Sequence, residues 1–262
     1  MKSLRQLGVR VRSSWRGFAY VVAVAACALG EAMKPRHWRQ PVRDVLARQI
    51  LFTGVHAIRV VFMLALLFGV SVVVQVQVWT SALGQKALLG PVLVGLIFRE
   101  LGPLLTNFLV IARSGTAMAS ELAAMRVHGE VKALDAQGID PFIYLVMPRV
   151  IGSAISVFGL AVMFVAVSIL GGLFTGILLG ANTGTPWQFF ESVFGALRPA
   201  DVLNLLAKTL IPGMLMAAIC CIEGLSIRGL ATDLPQAASR AVMKSITALF
   251  VVSALISIVT YL

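Results

Sequence analysis

The sequence predicts an all-α integral membrane protein with an N-terminal interfacial helix, five transmembrane helices and a short cytoplasmic helix between spans 2 and 3. Of its 262 residues, 59% are hydrophobic and only 13% are charged, whereas a soluble domain is closer to half apolar and a quarter charged. The mean hydropathy is +0.92. The apolar runs are long and do not alternate with polar residues, which favours membrane-spanning helices over strands.

Residues 1–49 form a basic N-terminal segment that contains one apolar run, Gly17–Gly30. This run of 14 residues is short for about 30 Å of hydrocarbon. Five basic residues precede it and five follow it, whereas a crossing segment leaves Lys and Arg mainly on one side. We therefore predict an amphipathic helix lying in the inner face of the membrane. The alternative is a cleaved lipoprotein signal ending at Cys27.

Residues 50–262 are predicted to form one five-span domain, because every long apolar run belongs to the same bundle. The third run is uncharged for 41 residues, enough for one tilted span and an outer loop. The fourth run is interrupted by Lys208 and by Pro212-Gly213, where we expect a kink. The predicted spans lie in Val60–Gln85, Ala87–Ala112, Val150–Phe190, about Val202–Ile222 and Ser245–Leu262.

The distribution of basic residues predicts a cytoplasmic N-terminus and an outer C-terminus. With the N-terminus inside, 17 of the 22 basic residues fall on the cytoplasmic side, two (Lys86 and Arg198) fall outside, and three lie within spans. The net charge of +11 thus reflects topology and attraction to anionic headgroups, and it does not indicate nucleic-acid binding.

The sequence contains no motif for catalysis. No Gly-x-x-x-x-Gly-Lys-Ser/Thr, His-Glu-x-x-His or Gly-x-Ser-x-Gly pattern is present, and the three histidines are scattered. The three cysteines form neither a disulfide framework nor a metal pattern. We predict a non-catalytic protein without a metal or cofactor, whose energy comes from another chain or from an ion gradient.

The second span contains adjacent charges, Arg99 and Glu100, followed directly by Gly102 and Pro103. A charge at the centre of a span costs about 2.5–3.5 kcal/mol. Neighbours on a helix point about 100° apart, so these two side chains cannot simply neutralise each other. Irregular backbone at membrane depth is tolerated where it is buried in protein or lines a cavity. Two readings remain: an internal cavity or subunit interface, or a buried ion pair such as Glu100 with Lys208.

Small residues predict close helix packing at two places. Gly115 and Ala119 follow the charged pair, and Gly172, Gly176 and Gly180 are spaced four apart in the third span. Packing within the monomer and packing against a second copy both fit this pattern.

The segment Glu130–Gln137 predicts a short cytoplasmic helix that Gly138 ends, with Asp140-Pro141 as the break before the next span. Val131 and Leu134 give it one apolar face. The helix is either a solvated connector or a docking element for a soluble partner.

The stretch "FRELGPLLTNFLVIARSGTAMASELAAMRVHGEVKALDAQGIDPFIYLVMPR", Phe98–Arg149, resembles the signature region of the MlaE family, the permease subunits of MCE-associated ABC transporters. The resemblance implies a homodimeric permease of the bacterial inner membrane that moves phospholipid or a related lipid to or from a periplasmic MCE protein. A cytoplasmic ABC ATPase would hold the ATP and Mg, and a regulatory subunit could join it.

The resemblance also implies two sites. The first is a lipid pocket at the dimer interface, formed by Arg99, Glu100, Leu101, Pro103 and Asn107. The second is a coupling helix that rests on the ATPase, with Glu130, Val131, Lys132, Leu134 and Asp135. The chain departs from the family at Gly129 and Lys132, where acidic or amide residues are usual.

The rival class is an ion-coupled secondary transporter in which Arg99, Glu100 and Lys208 relay an ion. That class predicts inverted repeats, and five spans do not divide into two equal halves.

Overall fold

A computed structural model describes residues 2–82, 84, 88–178, 186–227 and 233–261. Helices make up nearly all of these residues, and none of them lies in a strand. The α-helices are α1 (Lys2–Ala32), α2 (Gln40–Thr53), α3 (Ile58–Ala82), α4 (Leu89–Leu93), α5 (Gly102–Val110), α6 (Thr116–Val127), α7 (Glu130–Ala136), α8 (Met147–Leu178), α9 (Pro186–Ala196), α10 (Pro199–Leu225) and α11 (Leu234–Tyr261).

Five helical stretches are long and apolar enough to cross a membrane, which confirms the predicted all-α membrane fold. A shorter apolar helical segment, Gly17–Ala32, precedes them. The five stretches are Gln40–Thr80, Leu89–Val127, Phe142–Thr175, Pro199–Leu225 and Leu234–Thr260. The division into domains at residue 49 stays a prediction.

Several helices extend beyond the predicted spans, and two differences bear on the site. The helix that contains the second span does not end at Ala112 but continues to Val127, because the irregular backbone is absorbed inside the helix. The outer loop predicted after the third span contains α9, an 11-residue helix that begins at Pro186, a residue type favoured in the first turn.

The irregular backbone takes the form of three π-helical stretches, Val94–Leu101, Ile111–Gly115 and Phe142–Val146. The N–H of Gly102 donates to the carbonyl of Ile97, five residues back. π-Helical turns are rare, and many of them occur at functional sites. The predicted break at Arg-Glu-Leu-Gly-Pro is therefore a change of helical register within a continuing helix.

The described chain divides into two compact units, and the first comprises Met1–Gln49, Ile111–Ser153 and Gly213–Ala248. In this unit α1 contacts the π-helical stretch Phe142–Val146. The apolar part of α1 buries Ala25 and Ala28 and leaves Tyr20 and Leu29 exposed. Its apolar outer side suits the predicted position in the membrane face, which stays a prediction.

Several charged side chains in the first unit form ion pairs. Glu223, whose side chain is 9% exposed, contacts Lys244 at 2.5 Å and Arg240 at 3.3 Å. The guanidinium of Arg149 contacts Glu121 at 2.8 Å and donates to the carbonyl of Leu145. Glu223 near the end of α10 thus has two cationic partners on α11.

Glycines flank α7 at both ends, and the sequence predicts the one that ends it, Gly138. Gly129 has φ +78° and precedes the helix, and Gly138 has φ +74° and follows it. The N–H of Ile139 donates to Leu134 and that of Gly138 to Asp135, the hydrogen bonds of a Schellman motif. The left-handed conformation at Gly138 is one that residues with a Cβ rarely adopt.

The second unit comprises Ile50–Val110, Ala154–Pro212 and Leu249–Leu262. Its core draws on α3, the stretch from α4 to Ile97, α8 and α9; the buried members are Val73, Val76, Leu93, Val94, Ile97, Val165, Phe189 and Val193. α3 and α8 approach closely at Gly69, where a Cβ would overlap the backbone of Ser168. This packed core holds the stretch with Arg99 and Glu100 against its neighbours.

Candidate functional site: an ion-paired cluster within the second unit

Arg99 pairs with Asp201 at the start of α10. Its Nε lies 2.8 Å from Oδ1 of Asp201, and its Nη2 lies 3.1 Å from Oδ2. This two-point contact is the strong geometry between a guanidinium and a carboxylate. The Asp201 side chain is 1% exposed and that of Arg99 is 27% exposed, so the carboxylate is buried while the Arg99 side chain stays partly exposed.

The position of Asp201 follows from the N-terminus of α10. Pro199 occupies the first helical position, and Asp201 stands two residues further on. Its Oδ2 also accepts a hydrogen bond from the backbone N–H of Arg198 at 2.9 Å. An acidic side chain at this position commonly reaches back to cap the helix start, and here the same carboxylate binds Arg99.

Glu100 pairs with Lys208 two turns along α10. The distance from Nζ of Lys208 to Oε1 of Glu100 is 2.6 Å, and the hydroxyl of Ser257 on α11 donates to the same oxygen at 3.0 Å. The Lys208 side chain is 1% exposed, whereas that of Glu100 is 45% exposed. The ion pair that the sequence left open is therefore present, and its acidic end is accessible.

Two amides complete this cluster, which we call the ion-paired cluster (Arg99, Glu100, Asn107, Asp201, Asn204, Lys208 and Ser257). Nδ2 of Asn204 donates to the carbonyl of Arg99 at 3.4 Å. Nδ2 of Asn107 donates to the carbonyl of Lys208 at 3.0 Å. The four charged members balance to zero, which lowers the free-energy cost of keeping them within membrane spans.

A cavity of about 300 Å³ opens beside Arg99. Its lining residues come from α4, from the end of α9 and from the residues that lead into α10: Pro91, Arg99, Gly195, Ala196 and Arg198. α4 and α9 approach so closely that a Cβ on Gly90 would overlap the carbonyl of Ser192. The two arginines in its lining make this cavity suited to an anionic group.

The five residues predicted for the lipid pocket have different environments. Arg99 lines the cavity, Glu100 is accessible, and Leu101 is half-buried. Pro103 and Asn107 are buried, and Asn107 serves as a donor between helices. Their assignment to a lipid pocket at a dimer interface stays a prediction.

Two of the predicted packing residues, Gly115 and Gly172, lie close to another helix of their own unit. In the first unit, a Cβ on Gly115 would lie 3.3 Å from Sγ of Cys220, and Ala119 is fully buried. In the second unit, a Cβ on Gly172 would overlap the side chain of Val73. Gly176 lies within α8, and Gly180 lies outside the described residues.

The predicted coupling residues all lie on or beside α7. Val131 is buried and Leu134 half-buried, so both turn toward their own unit. The remaining three, Glu130, Lys132 and Asp135, are exposed. A soluble partner would therefore meet the charged face of this helix.

Sequence reasoning missed Asp201, Asn204 and Ser257. Asp201, Asn204 and Lys208 are spaced three and four apart and so share one face of α10. This stripe of polar residues in an apolar helix could have indicated that Asp201 and Asn204 belong with Lys208. Ser257 carried no signal, because a lone serine in a span is common. Among the described residues no group of His, Cys, Asp and Glu is suited to a metal ion.

The fold and the cluster define a multi-pass α-helical membrane protein that keeps a neutral set of paired charges among its spans. The family described as "Permease MlaE" matches residues 46–259, and the chain belongs to this MlaE permease family.

Three relatives illustrate the similarity. A probable ABC transporter permease protein of Rickettsia conorii is 32% identical over 182 residues, 69% of each chain. The protein TRIGALACTOSYLDIACYLGLYCEROL 1, chloroplastic, of Arabidopsis thaliana is 28% identical over 93% of this chain and 67% of its own. The intermembrane phospholipid transport system permease protein MlaE of Haemophilus influenzae is 25% identical over 76% of each chain.

Proposed function

We propose that this chain is the membrane permease subunit of an ABC transporter that moves phospholipid or a related lipid between the inner membrane and a periplasmic MCE protein. The family match over residues 46–259 carries the proposal. The names of two relatives, a probable ABC transporter permease and an intermembrane phospholipid transport system permease, agree with it.

The source of energy in this proposal is a separate chain. The sequence contains no Walker A motif, so a cytoplasmic ABC ATPase would bind ATP and Mg and hydrolyse the nucleotide. The exposed charged face of α7, with Lys132 and Asp135, would contact this ATPase. This contact requires the predicted orientation, with the N-terminus in the cytoplasm and the C-terminus in the periplasm.

The lipid would bind near the ion-paired cluster between two copies of the chain. The cluster is neutral as a whole, but it presents the carboxylate of Glu100 and the partly exposed side chain of Arg99. Such groups suit a zwitterionic or anionic headgroup and the water around it. This arrangement supports a hydrated headgroup region at the cluster as the reason why the charges are tolerated within the spans.

The first test is purification of the tagged chain from its native membrane in a gentle detergent, with mass spectrometry of every retained protein and lipid. We expect a Walker A ATPase, an MCE protein and bound phospholipid, and a regulatory subunit would appear in the same sample. Recovery of the chain alone under several mild conditions would contradict the proposal. A proton-flux assay of Glu100 variants in vesicles would then test the ion-coupled alternative.

A further inference from the structure

Two prolines leave two carbonyls of the second unit without their regular helical donors. In an α-helix the N–H of residue i donates to the carbonyl of residue i−4, and proline has no N–H. Pro103 stands four residues after Arg99, and Pro212 stands four residues after Lys208 inside α10. The carbonyls of Arg99 and Lys208 therefore need other partners.

Each of these carbonyls receives a side-chain donor from the facing helix. The carbonyl of Arg99 accepts from Nζ of Lys208 at 3.0 Å and from Nδ2 of Asn204 at 3.4 Å. The carbonyl of Lys208 accepts from Nδ2 of Asn107 at 3.0 Å. Lys208 thus donates with its side chain to the carbonyl of Arg99, and its own backbone carbonyl accepts from Asn107.

Both protons on Nδ2 of Asn107 are used in this arrangement. One points to the carbonyl of Lys208 and the other to the carbonyl of Pro103, at 2.8 Å. Because both neighbours are acceptors, the amide can satisfy them only with its nitrogen facing them. Asn107 is 1% exposed, so water does not readily replace it, and a buried carbonyl without a donor is unfavourable.

We propose that Asn107 is a positioning residue. Its side chain joins α5 to α10 by a hydrogen bond to the Lys208 carbonyl, which Pro212 leaves without an α-helical donor. This bond holds the Lys208 ammonium against Glu100. The part played in transport rests on the proposed lipid site, whereas the bond itself can be tested without a transport assay. The function of Asn107 in this view is to fix a neighbouring charge, and its own contact with lipid is not required.

A double-mutant cycle with Asn107→Ala and Pro212→Ala tests the bond. Pro212→Ala restores a backbone N–H that can donate to the Lys208 carbonyl within α10. In the purified full-length chain we expect Asn107→Ala to lower the midpoint temperature of unfolding by several degrees. In the Pro212→Ala background the same substitution should lower it by at most half as much. An equal fall in both backgrounds would overturn the proposal.

Thr106→Ala provides a matched control on the same helix. Thr106 is also 1% exposed, and its hydroxyl has no hydrogen-bond partner among the described residues. Its truncation therefore removes a buried side chain of similar size without removing a bond to α10. We expect its effect on the midpoint temperature to be the same in both Pro212 backgrounds.

Chemical labelling of lysine in membranes tests the positioning of Lys208 without the proline variant. An amine-reactive ester should label the exposed Lys132 and leave the buried Lys208 nearly unmodified. In Asn107→Ala we expect the ratio of Lys208 to Lys132 labelling, measured by mass spectrometry, to rise several-fold, and in Thr106→Ala to stay unchanged. An unchanged ratio of Lys208 to Lys132 labelling in Asn107→Ala would show that Asn107 does not position Lys208 and would refute the proposal.

Discussion

The pair formed by Glu100 and Lys208 is unequally buried, and this inequality predicts unequal effects of removing either partner. The ammonium of Lys208 is 1% exposed, whereas the carboxylate of Glu100 is 45% exposed. Glu100→Gln would leave a buried positive charge with only neutral acceptors, the glutamine and the carbonyl of Arg99. Lys208→Met would leave a carboxylate that reaches water and still accepts from Ser257.

The structure allows the two effects to be estimated. An uncompensated buried charge destabilises a protein by about 3–5 kcal/mol, and the remaining acceptors around Lys208 favour the low end of that range. An exposed charge that loses its partner loses about 1 kcal/mol or less. We therefore expect Glu100→Gln to be less stable than Lys208→Met by about 2 kcal/mol, roughly a 30-fold difference in the ratio of folded to unfolded protein.

Unfolding of the purified variants in mixed micelles by increasing SDS, followed by circular dichroism, gives the two free energies. The double variant Glu100→Gln, Lys208→Met should resemble Lys208→Met alone, because neither charge then remains. If Lys208→Met is the less stable variant, the open side of Glu100 does not face water. The proposal of a hydrated headgroup region at the ion-paired cluster would then be wrong.

Three further outcomes follow from the packing and the surface. Gly172→Ala should lower the free energy of unfolding by about 1–3 kcal/mol, measured by thermal unfolding, because the added Cβ overlaps the side chain of Val73. Gly159→Ala in the same helix is the control and should be tolerated, because its Cβ would enter open space. Gly138→Ala should lower the free energy of unfolding by about 1–2 kcal/mol, because a residue with a Cβ is strained at a φ of +74°. An unchanged midpoint temperature of unfolding would contradict the left-handed conformation at this position. Asp135→Lys should reduce the ATPase recovered with the tagged chain, whereas Glu191→Lys, equally exposed on α9, should not; equal recovery would remove α7 as the docking helix.

The spans and the helix α7 could be predicted because their signals are local. Long uncharged runs identify helices that cross a membrane, and the glycines at 129 and 138 stand where the chain needs positive φ. The length of the second span could not be predicted from the same signals. Gly102 and Pro103 usually end a helix, but here they follow a π-helical stretch and begin α5, and the helix continues to Val127.

Only some of the ion-pair partners within the cluster could be predicted from the sequence. The charge of Lys208 in an apolar run made it an obvious candidate for Glu100, and the structure contains this pair. Asp201 was missed, because the sequence does not indicate that the first turn of α10 lies beside Arg99. Which helix faces which depends on packing between distant segments, and one sequence contains little information on that.

The motif Arg-Glu-Leu-Gly-Pro can now be explained as one physical unit. Pro103 leaves the carbonyl of Arg99 without its regular donor, and this carbonyl helps to hold the ammonium of Lys208. The ammonium in turn compensates Glu100, and Arg99 is compensated by Asp201. Removal of the proline should therefore affect a charge on another helix. Pro103→Ala would supply a competing N–H to the Arg99 carbonyl and increase the labelling of Lys208. If Pro103→Ala leaves that labelling unchanged, the proline and the charges are independent features of the span.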